Sequence, residues 1–414
     1  MESRIQALYP HCCGLDVHKE SVMACVTHLQ ADGIAVERVR AFGTMTRDLL
    51  SLADWLAEQQ VTHVAMESTG VYWKPIWNLL EDRFTAWLVN ARHVKNVPGR
   101  KTDVKDCQWI ARLLQHGLLK PSFVPDRPQR ELRDLTRQRW QLIGDKSRVA
   151  NRIQKLLEDA NVKLASVATD VLGVSGRQMI QALIDGQTDA KAMAQLAHAR
   201  LRNKLAQLEQ ALSGKVTEHH RFMLKALVGQ LDWLEEQVDC FDQRIEAVMG
   251  PLEKQAIDRL DEIPGVDRRA AQNLIAEIGT DMGRFPSAAH LASWAGVCPG
   301  NHQSAGKRRS GRCGEGNRFV KATLNQCAWA ASRTKGTYLS AQYRRLAKRR
   351  GARRAIMAVG HSQLTQAFHL LSRQIEYKDL TAAHFDTIEP QRHARQLVKR
   401  LEQLGYKVSV ERAA

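Results

Sequence analysis

The fold of the N-terminal part of the chain is decided by residues 12–27, which read CCGLDVHKESVMACVT. Cys12 to Leu15 and Val22 to Thr27 are short apolar runs separated by polar residues, a pattern that predicts two strands joined as a hairpin or meander. The first strand leads directly into Asp16. Because a solvated acid has little reason to follow buried strand residues, Asp16 is a candidate functional residue.

Strand-like and helix-like patterns alternate outward from this stretch up to about residue 125. Further strands are predicted at Ile34 to Phe42, Val61 to Met66 and Phe84 to Val89, and helices at Arg47 to Glu58, Val71 to Glu81 and Asp103 to Leu114. This order predicts an α/β domain with a mixed sheet over residues 1–125.

Residues 126–255 are predicted to form long helices, because no proline occurs between Gln129 and Gly250. The last of these helices has apolar residues at coiled-coil spacing: Leu224, Leu227, Leu231, Leu234, Val238, Phe241, Ile245 and Val248. The seam predicts either self-association or a helix packed on its own chain, and both remain open. An earlier helix has a basic side that favours either nucleic-acid phosphates or plain solvent: Arg130, Arg133, Arg137, Arg139, Lys146, Arg148, Arg152 and Lys155.

Residues 256–376 form a third predicted domain, which begins with a helix-hairpin-helix pattern around Ile263-Pro264-Gly265-Val266. A tight turn of this kind lets backbone N–H groups such as that of Gly265 meet a phosphate, although a plain helical hairpin has the same pattern. An apolar helix is predicted from Ile356 to Leu371. The tail, residues 377–414, is predicted to be structural, with one helix around Leu397 to Leu404.

Positive charge is concentrated in one segment of this chain of net charge +17. Residues 301–354 hold fifteen Lys or Arg and a single acid, Glu315, so this segment alone has a charge of +14. Such a field favours nucleic acid as the partner, with an anionic membrane surface as the alternative. The eight cysteines form no CxxC pair, and neither a signal peptide nor an apolar run of membrane length occurs. We therefore expect no zinc site, no membrane contact and a cytoplasmic protein.

Four carboxylates stand where a metal site for phosphoryl transfer would need them. Asp16 and Glu67 each end a predicted strand, and Asp103 and Asp106 lie three residues apart on a predicted helix. Each acid alone has an ordinary explanation, a turn or a helix N-terminus. Together they resemble the arrangement in nucleases of the RNase H and RuvC type and predict a site for Mg²⁺. Arg100 and Lys101 would contact phosphate there, or would be solvated loop charges.

A second candidate centre lies in residues 295–317, which read AGVCPGNHQSAGKRRSGRCGEGN. Ser304 lies beside small residues, and the nearby Lys307, Arg308, Arg309 and Arg312 can neutralise a phosphate. A serine in this position can attack DNA as a nucleophile, but serines in such loops more often only bind phosphate. By chemistry alone, Ser310 is as good a candidate.

Several motifs in order resemble the DEDD transposases of the IS110 and IS1111 insertion sequences: GLDVHK, AMESTGVYW, VPGRKTDVKD, IPGV, and WAGVCPGNHQSAGKRRSGRCGEGNRFVK. The likeness runs from residue 10 to about 375, and the long helical segments favour the IS1111 branch. It implies a RuvC-like N-terminal domain, and Asp16, Glu67, Asp103 and Asp106 as ligands of Mg²⁺, with Mn²⁺ as a substitute. It also implies Ser304 as the nucleophile on DNA, although Ala305 stands where many relatives have Gly.

The same resemblance implies partners. A noncoding guide RNA would select the element ends and the target DNA by base pairing. Subunits would assemble into a dimer to tetramer in which one protomer's carboxylates meet another's serine. Two rival functions remain: a metal-dependent nuclease or Holliday-junction resolvase in which water attacks, and a non-catalytic RNA-binding or chromosome-architectural protein, which would leave the four acids without a purpose.

Overall fold

The computed structural model describes residues 7–30, 34–68, 70–90, 106–300, 302–304, 307–385 and 398–409, with only the backbone described for 302–304 and 307–310. The chain divides into two compact units, Met1–Pro125 and Asp126–Ala414.

The first unit is built on a mixed five-stranded sheet with the order β3-β2-β1-β4-β5. Its elements are β1 (His11–Val17), β2 (Ser21–Leu29), β3 (Ala35–Gly43), α1 (Thr46–Glu58), β4 (His63–Glu67), α2 (Trp73–Leu80), β5 (Thr85–Val89) and α3 (Asp106–Gln115). The strands β1, β2 and β3 form an antiparallel meander, whereas β4 runs parallel to both β1 and β5. The predicted mixed α/β domain is thus confirmed, and the bounds of its strands and helices differ from the predicted ones by a few residues.

The two faces of this sheet are covered by different helices. Cys13, Leu15 and Val17 point into a core shared with α1 and α2. On the other face α3 lies directly on β1 at Gly14, where an added Cβ would come within 2.2 Å of the carbonyl oxygen of Cys107. A side chain at position 14 would therefore lift α3 from the sheet.

The second unit is mainly helical. Its helices are α4 (Arg127–Asp159), α5 (Leu164–Val167), α6 (Val174–Ile184), α7 (Ala190–Ala194), α8 (Leu205–Leu212), α9 (Glu218–Val248), α10 (Pro251–Asp261), α11 (Arg268–Ile278), α12 (Ala288–Trp294), α13 (Arg318–Arg333), α14 (Tyr338–Arg350) and α15 (Ala352–Arg373). Short 3₁₀ turns occur at Ala199–Lys204 and Met282–Arg284. Residues 398–403 are also helical, near the predicted tail helix.

The predicted apolar seam of α9 is covered by the same chain. Leu224, Leu231 and Val238 are buried in a core that α4 shares. Ion pairs join Arg139 to Asp242 and Lys146 to Glu235, so residue numbers rise along one helix as they fall along the other. The seam therefore forms an antiparallel helical hairpin within the chain, and the self-association that the spacing also allowed would need another surface.

The predicted basic side of α4 is wrong for three of its arginines, which turn inward. Arg139 has a side chain 1% exposed that donates to Asp242, Gln272 and Asn273. Arg133 and Arg137 pair with Glu277 of α11. Burial lowers the pKa of Arg133 to about 10. A lone sequence hid this arrangement because the acids that attract these arginines lie over 100 residues away.

The helix-hairpin-helix pattern corresponds to α10 and α11 and the tight turn between them. Gly265 has φ +85°, and a Cβ there would come within 2.3 Å of the carbonyl oxygen of Cys327 in α13. The carbonyl of Pro264 accepts from Gln363 of α15. The need for glycine at 265 is thus explained by packing, and its contact with a phosphate remains a prediction.

Among the described residues, no helix is both long enough and apolar enough to cross a bilayer.

Candidate functional site

Asp16 and Glu67 lie at the same end of two neighbouring parallel strands. The register of β1 and β4 pairs Leu15 with Met66, and the two acids are the next residues on each strand. Adjacent strands are about 4.8 Å apart, so the two acids start from neighbouring backbone positions.

Both acids belong to the face of the sheet that α3 covers. Side chains alternate between faces along a strand. Leu15 and Met66 point into the core with α1 and α2, whereas Ala65 points into the core with α3 and Gly14 touches α3 itself. Asp16 and Glu67, each one residue beyond Leu15 and Met66, therefore face the α3 side.

The helix α3 runs antiparallel to β1 and begins at Asp106. The N–H of Leu8 donates to the carbonyl of Gln115 at 2.8 Å near the start of β1, while Gly14 meets Cys107 near its end. The N-terminus of α3 thus lies at the end of the sheet that carries Asp16 and Glu67. Three of the four predicted acids share one face and one end of the sheet.

The position of α3 is held by polar contacts with β3 as well as by packing. Glu37 accepts from Nε of Arg112 at 2.6 Å and from Gln108 at 2.9 Å. The hydrogen bond to Glu37 raises the pKa of Arg112. Beneath the helix, Cys25 and Cys107 pack together, and burial raises the pKa of Cys25 to about 12, so that thiol stays protonated at neutral pH.

His18 is a neighbour of the site to which the sequence analysis gave no role. Its Nε2 lies 3.1 Å from a carboxylate oxygen of Asp16, and its side chain is exposed. The spacing of two residues in Gly-Leu-Asp-Val-His was the available signal. His18 thus orients Asp16, and it must give up this contact or share the carboxylate if a cation binds there.

The carboxylate set is incomplete in the described part of the chain, where no three or more His, Cys, Asp or Glu side chains approach closely enough to hold a metal ion. Asp103 lies outside the described residues, as do Arg100 and Lys101. The oxygen donors present are of the type that Mg²⁺ prefers. Their chemistry therefore fits the predicted ion.

The serine segment forms a small hairpin of β6 (His302–Ser304) and β7 (Lys307–Ser310). Ser304 pairs with Lys307 at one end of the hairpin, whereas Ser310 pairs with His302 at the other end, the base. Beyond the base, the N–H of Gly300 donates to the carbonyl of Arg312 at 3.1 Å. The two candidate serines, which are equivalent in their local chemistry, thus lie at opposite ends of the hairpin. The side chains of Lys307, Arg308 and Arg309 lie outside the described residues.

The end of the serine segment is tied to a buried acid that the sequence analysis missed. Asn317 caps α13 through its Oδ1, which accepts from Phe319 and Val320, and its Nδ2 donates to Glu277 at 2.7 Å. Glu277 is 2% exposed and also accepts from Arg137 at 2.7 and 2.9 Å. One carboxylate therefore joins α4, α11 and the last residue of the serine segment.

Comparison with known proteins finds two family matches in the order of the two candidate centres. Residues 13–162 match a DEDD transposase model of the IS110 type, and residues 257–344 match the "Transposase IS116/IS110/IS902 family". The first range contains all four predicted acids and the second contains the serine hairpin. The chain therefore carries DEDD transposase domains of the IS110/IS116/IS902 family, and the sequence resemblance is confirmed at that level.

Two curated relatives agree with this assignment. The chain is 24% identical, over 70% of its own length and 72% of the relative's, to the "Transposase for insertion sequence element IS1111A" of Coxiella burnetii. It is 26% identical, over 66% and 71% respectively, to the "Insertion element IS110 uncharacterized 43.6 kDa protein" of Streptomyces coelicolor.

Proposed function

We propose that this chain, with its transposase domains, is the recombinase of an insertion sequence, which cuts the DNA ends of the element and joins them to a target. The observation that carries the proposal is the placement of Asp16, Glu67 and Asp106 on one face and at one end of a mixed sheet. Acids gathered at one end of a sheet are what a phosphoryl-transfer enzyme needs and what a purely architectural protein does not need. The same sheet and acids support a RuvC-like fold for this unit.

Asp16, Glu67, Asp103 and Asp106 are the proposed ligands of Mg²⁺, with Mn²⁺ as a substitute. When bound, such an ion polarises the scissile phosphate and stabilises the charge that develops on its oxygens. The protein supplies rigidity: Asp16 and Glu67 are fixed by strand pairing, and α3 is fixed by Gly14 and Glu37. Arg100 and Lys101 are the proposed phosphate contacts beside these acids.

Ser304 is the proposed nucleophile. Its Oγ forms a bond to phosphorus as the bond to the 3′ oxygen breaks, which leaves a phosphoserine and a free 3′-hydroxyl. A 3′-hydroxyl of a partner strand then attacks the phosphoserine and releases the serine, so that strand exchange needs no external energy source. The place of Ser304 supports this choice, because it lies at the end of the hairpin away from the base that Gly300 and Arg312 close. Lys307, Arg308, Arg309 and Arg312 would neutralise the phosphate, with Gly265 as a further backbone contact.

The proposal includes a guide RNA and subunits that assemble into a dimer to tetramer, both implied by family resemblance. Sequencing the RNA that copurifies with the protein tests the first, and the mass of the assembly on element-end DNA tests the second. A defined RNA species encoded within the element is the expected result.

The decisive experiment is trapping of a covalent intermediate. Labelled element-end DNA is incubated with the protein, its copurifying RNA and Mg²⁺, and the products are separated under denaturing conditions. The wild-type protein and Ser310→Ala should give a protein-bound label, and Ser304→Ala should give none. An adduct in Ser304→Ala would show that another residue attacks, and cleavage without any adduct would favour the nuclease or resolvase in which water attacks. Loss of cleavage with EDTA, with binding retained, excludes the purely architectural function.

A further inference from the structure

The second unit contains an open cleft of about 1100 Å³ beside the serine hairpin. Its lining comes from three sources: the two flanks of the hairpin, α13, and the junction of α14 with α15. The first flank contributes Val297, and the second contributes Arg312 and Cys313. The base of the serine hairpin, the end opposite Ser304, thus borders this cleft.

One wall of the cleft is cationic. Arg350, Arg353 and Arg354 line it with Lys321, and among the described residues no side-chain hydrogen bond or ion pair involves the three arginines. Three unpaired arginines on one concave surface repel each other and attract anions. A polyanion is therefore the ligand that this wall favours.

The beginning of α15 strengthens this preference. Arg353 and Arg354 lie in its first turn, where the helix dipole disfavours cations, and no acid accompanies them. The N-cap is Gly351, which has no side chain to accept hydrogen bonds from the first amides of α15. Among those amides, that of Ala355 donates to the carbonyl of Gly351. Helix N–H groups and arginines together form a phosphate site of the usual kind, and a bound phosphate would remove the electrostatic penalty.

Part of the cleft lining is apolar. Met357 and Ala358 lie one helical turn beyond Arg353 and Arg354 on the same face of α15, and Val297 lines the cleft from the hairpin. The lining is thus cationic at the start of α15 and apolar one turn further along the helix. An unpaired nucleotide has the same two parts, a phosphate and a base. A duplex keeps its bases stacked inside and presents a convex phosphate surface, which would leave the apolar part of the lining without a partner.

We propose that this cleft binds an unpaired segment of a polynucleotide, with its phosphates on Arg350, Arg353 and Arg354 and a base against Met357. The inference deepens the proposed function and rests on it, because it names where an unpaired strand lies next to the serine hairpin. The strand can come from melted DNA or from a guide RNA. The chemistry recognised is the same, and the experiment separates the two sources.

The test compares the double variant Arg353→Ala/Arg354→Ala with the control Lys348→Ala/Arg349→Ala in the full-length protein. Binding of a labelled 12-nucleotide dT strand is measured by fluorescence anisotropy over a range of salt concentrations. Both variants remove two charges from exposed positions of the same basic segment, but Lys348 and Arg349 do not line the cleft. The first variant should bind at least about tenfold more weakly. It should also lower the slope of log K against log salt by about 1.4, the value for two contacts with single-stranded phosphates. The control should change neither quantity by a comparable amount.

A further measurement uses the wild-type protein and does not depend on a variant folding. An abasic strand of equal length should bind at least about threefold more weakly than dT, because it keeps the phosphates and loses the bases. The variant pair should differ less on duplex DNA than on the single strand. Equal losses in both variants, or equal binding of abasic and dT strands, would overturn the cleft assignment.

A matched oligo-U strand identifies the source. Tighter binding of RNA that Arg353→Ala/Arg354→Ala abolishes assigns the cleft to the guide, and tighter binding of DNA assigns it to the recombining strand. Covalent trapping at Ser304 is measured separately. The cleft assignment can therefore fail while the proposed recombinase activity stands, and the reverse is also true.

Discussion

Glu277→Gln removes the charge that holds together the anchor of the serine segment. In the wild type this carboxylate, 2% exposed, faces Arg133 and Arg137, whose side chains are 11% and 32% exposed, and it accepts from Asn317. Removing one partner of a buried ion pair costs about 3–5 kcal/mol. Glutamine can still accept one hydrogen bond, and Arg137 keeps some solvent, so we expect about 3 kcal/mol.

The assay is thermal unfolding followed by circular dichroism at 222 nm, which reports the helices of the second unit. A loss of about 3 kcal/mol corresponds to a midpoint lower by about 6 °C for a unit of this size. The matched control is Asp258→Asn, which removes a carboxylate 2.9 Å from Arg268 where both side chains are exposed. An exposed pair contributes at most about 1 kcal/mol, so the control should move the midpoint by less than about 2 °C. Equal shifts in the two variants would refute the claim that Glu277 anchors this region.

Three further predictions concern the sheet, the acids and a histidine. Gly14→Ala places a methyl group within 2.2 Å of the backbone of α3 and should abolish cleavage and lower the unfolding midpoint. The control Gly229→Ala, with open space around it on α9, should be neutral or stabilising by up to about 1 kcal/mol. An active Gly14→Ala protein would contradict the packing argument. Asp16→Asn should leave the unfolding midpoint within about 1 °C and abolish excision of the element in a plasmid assay, and residual excision near the wild-type level would remove Asp16 from the site. Burial lowers the pKa of His361, so the unfolded chain takes up this proton first as the pH falls. The wild type should then lose stability below about pH 6.5, and His361→Gln should lose less between pH 7 and 5 in urea titrations; a steeper loss in the variant would contradict this.

The sheet could be predicted from the sequence because its strands are short, apolar and separated by clear turn residues. Asp16 and Glu67 were visible for the same reason, as acids at the ends of apolar runs. Their common face was not visible in either strand alone. It follows from the pairing of Leu15 with Met66 and from the contact of Gly14 with α3, and both are tertiary facts.

The helical unit was harder to predict because its decisive contacts are distant in sequence. The apolar spacing of α9 fitted two partners equally well, and the ion pairs of Arg139 and Lys146 with acids near residue 240 fix the partner as α4. Glu277 resembled an ordinary helix residue. A buried acid reveals itself only through its partners, and here those are 140 and 40 residues away.

The direction of the acids is tied to the stability of the sheet itself. Strand β1 is packed on both faces, with Leu15 in one core and Gly14 against α3, and a shift of its register by one residue would exchange these faces. Such a shift would bury Asp16 among apolar side chains and is therefore strongly disfavoured. A variant that retains the folded sheet thus retains the direction of Asp16 and Glu67, so loss of cleavage in a stable Asp16→Asn protein must be attributed to the carboxylate and not to a displaced strand.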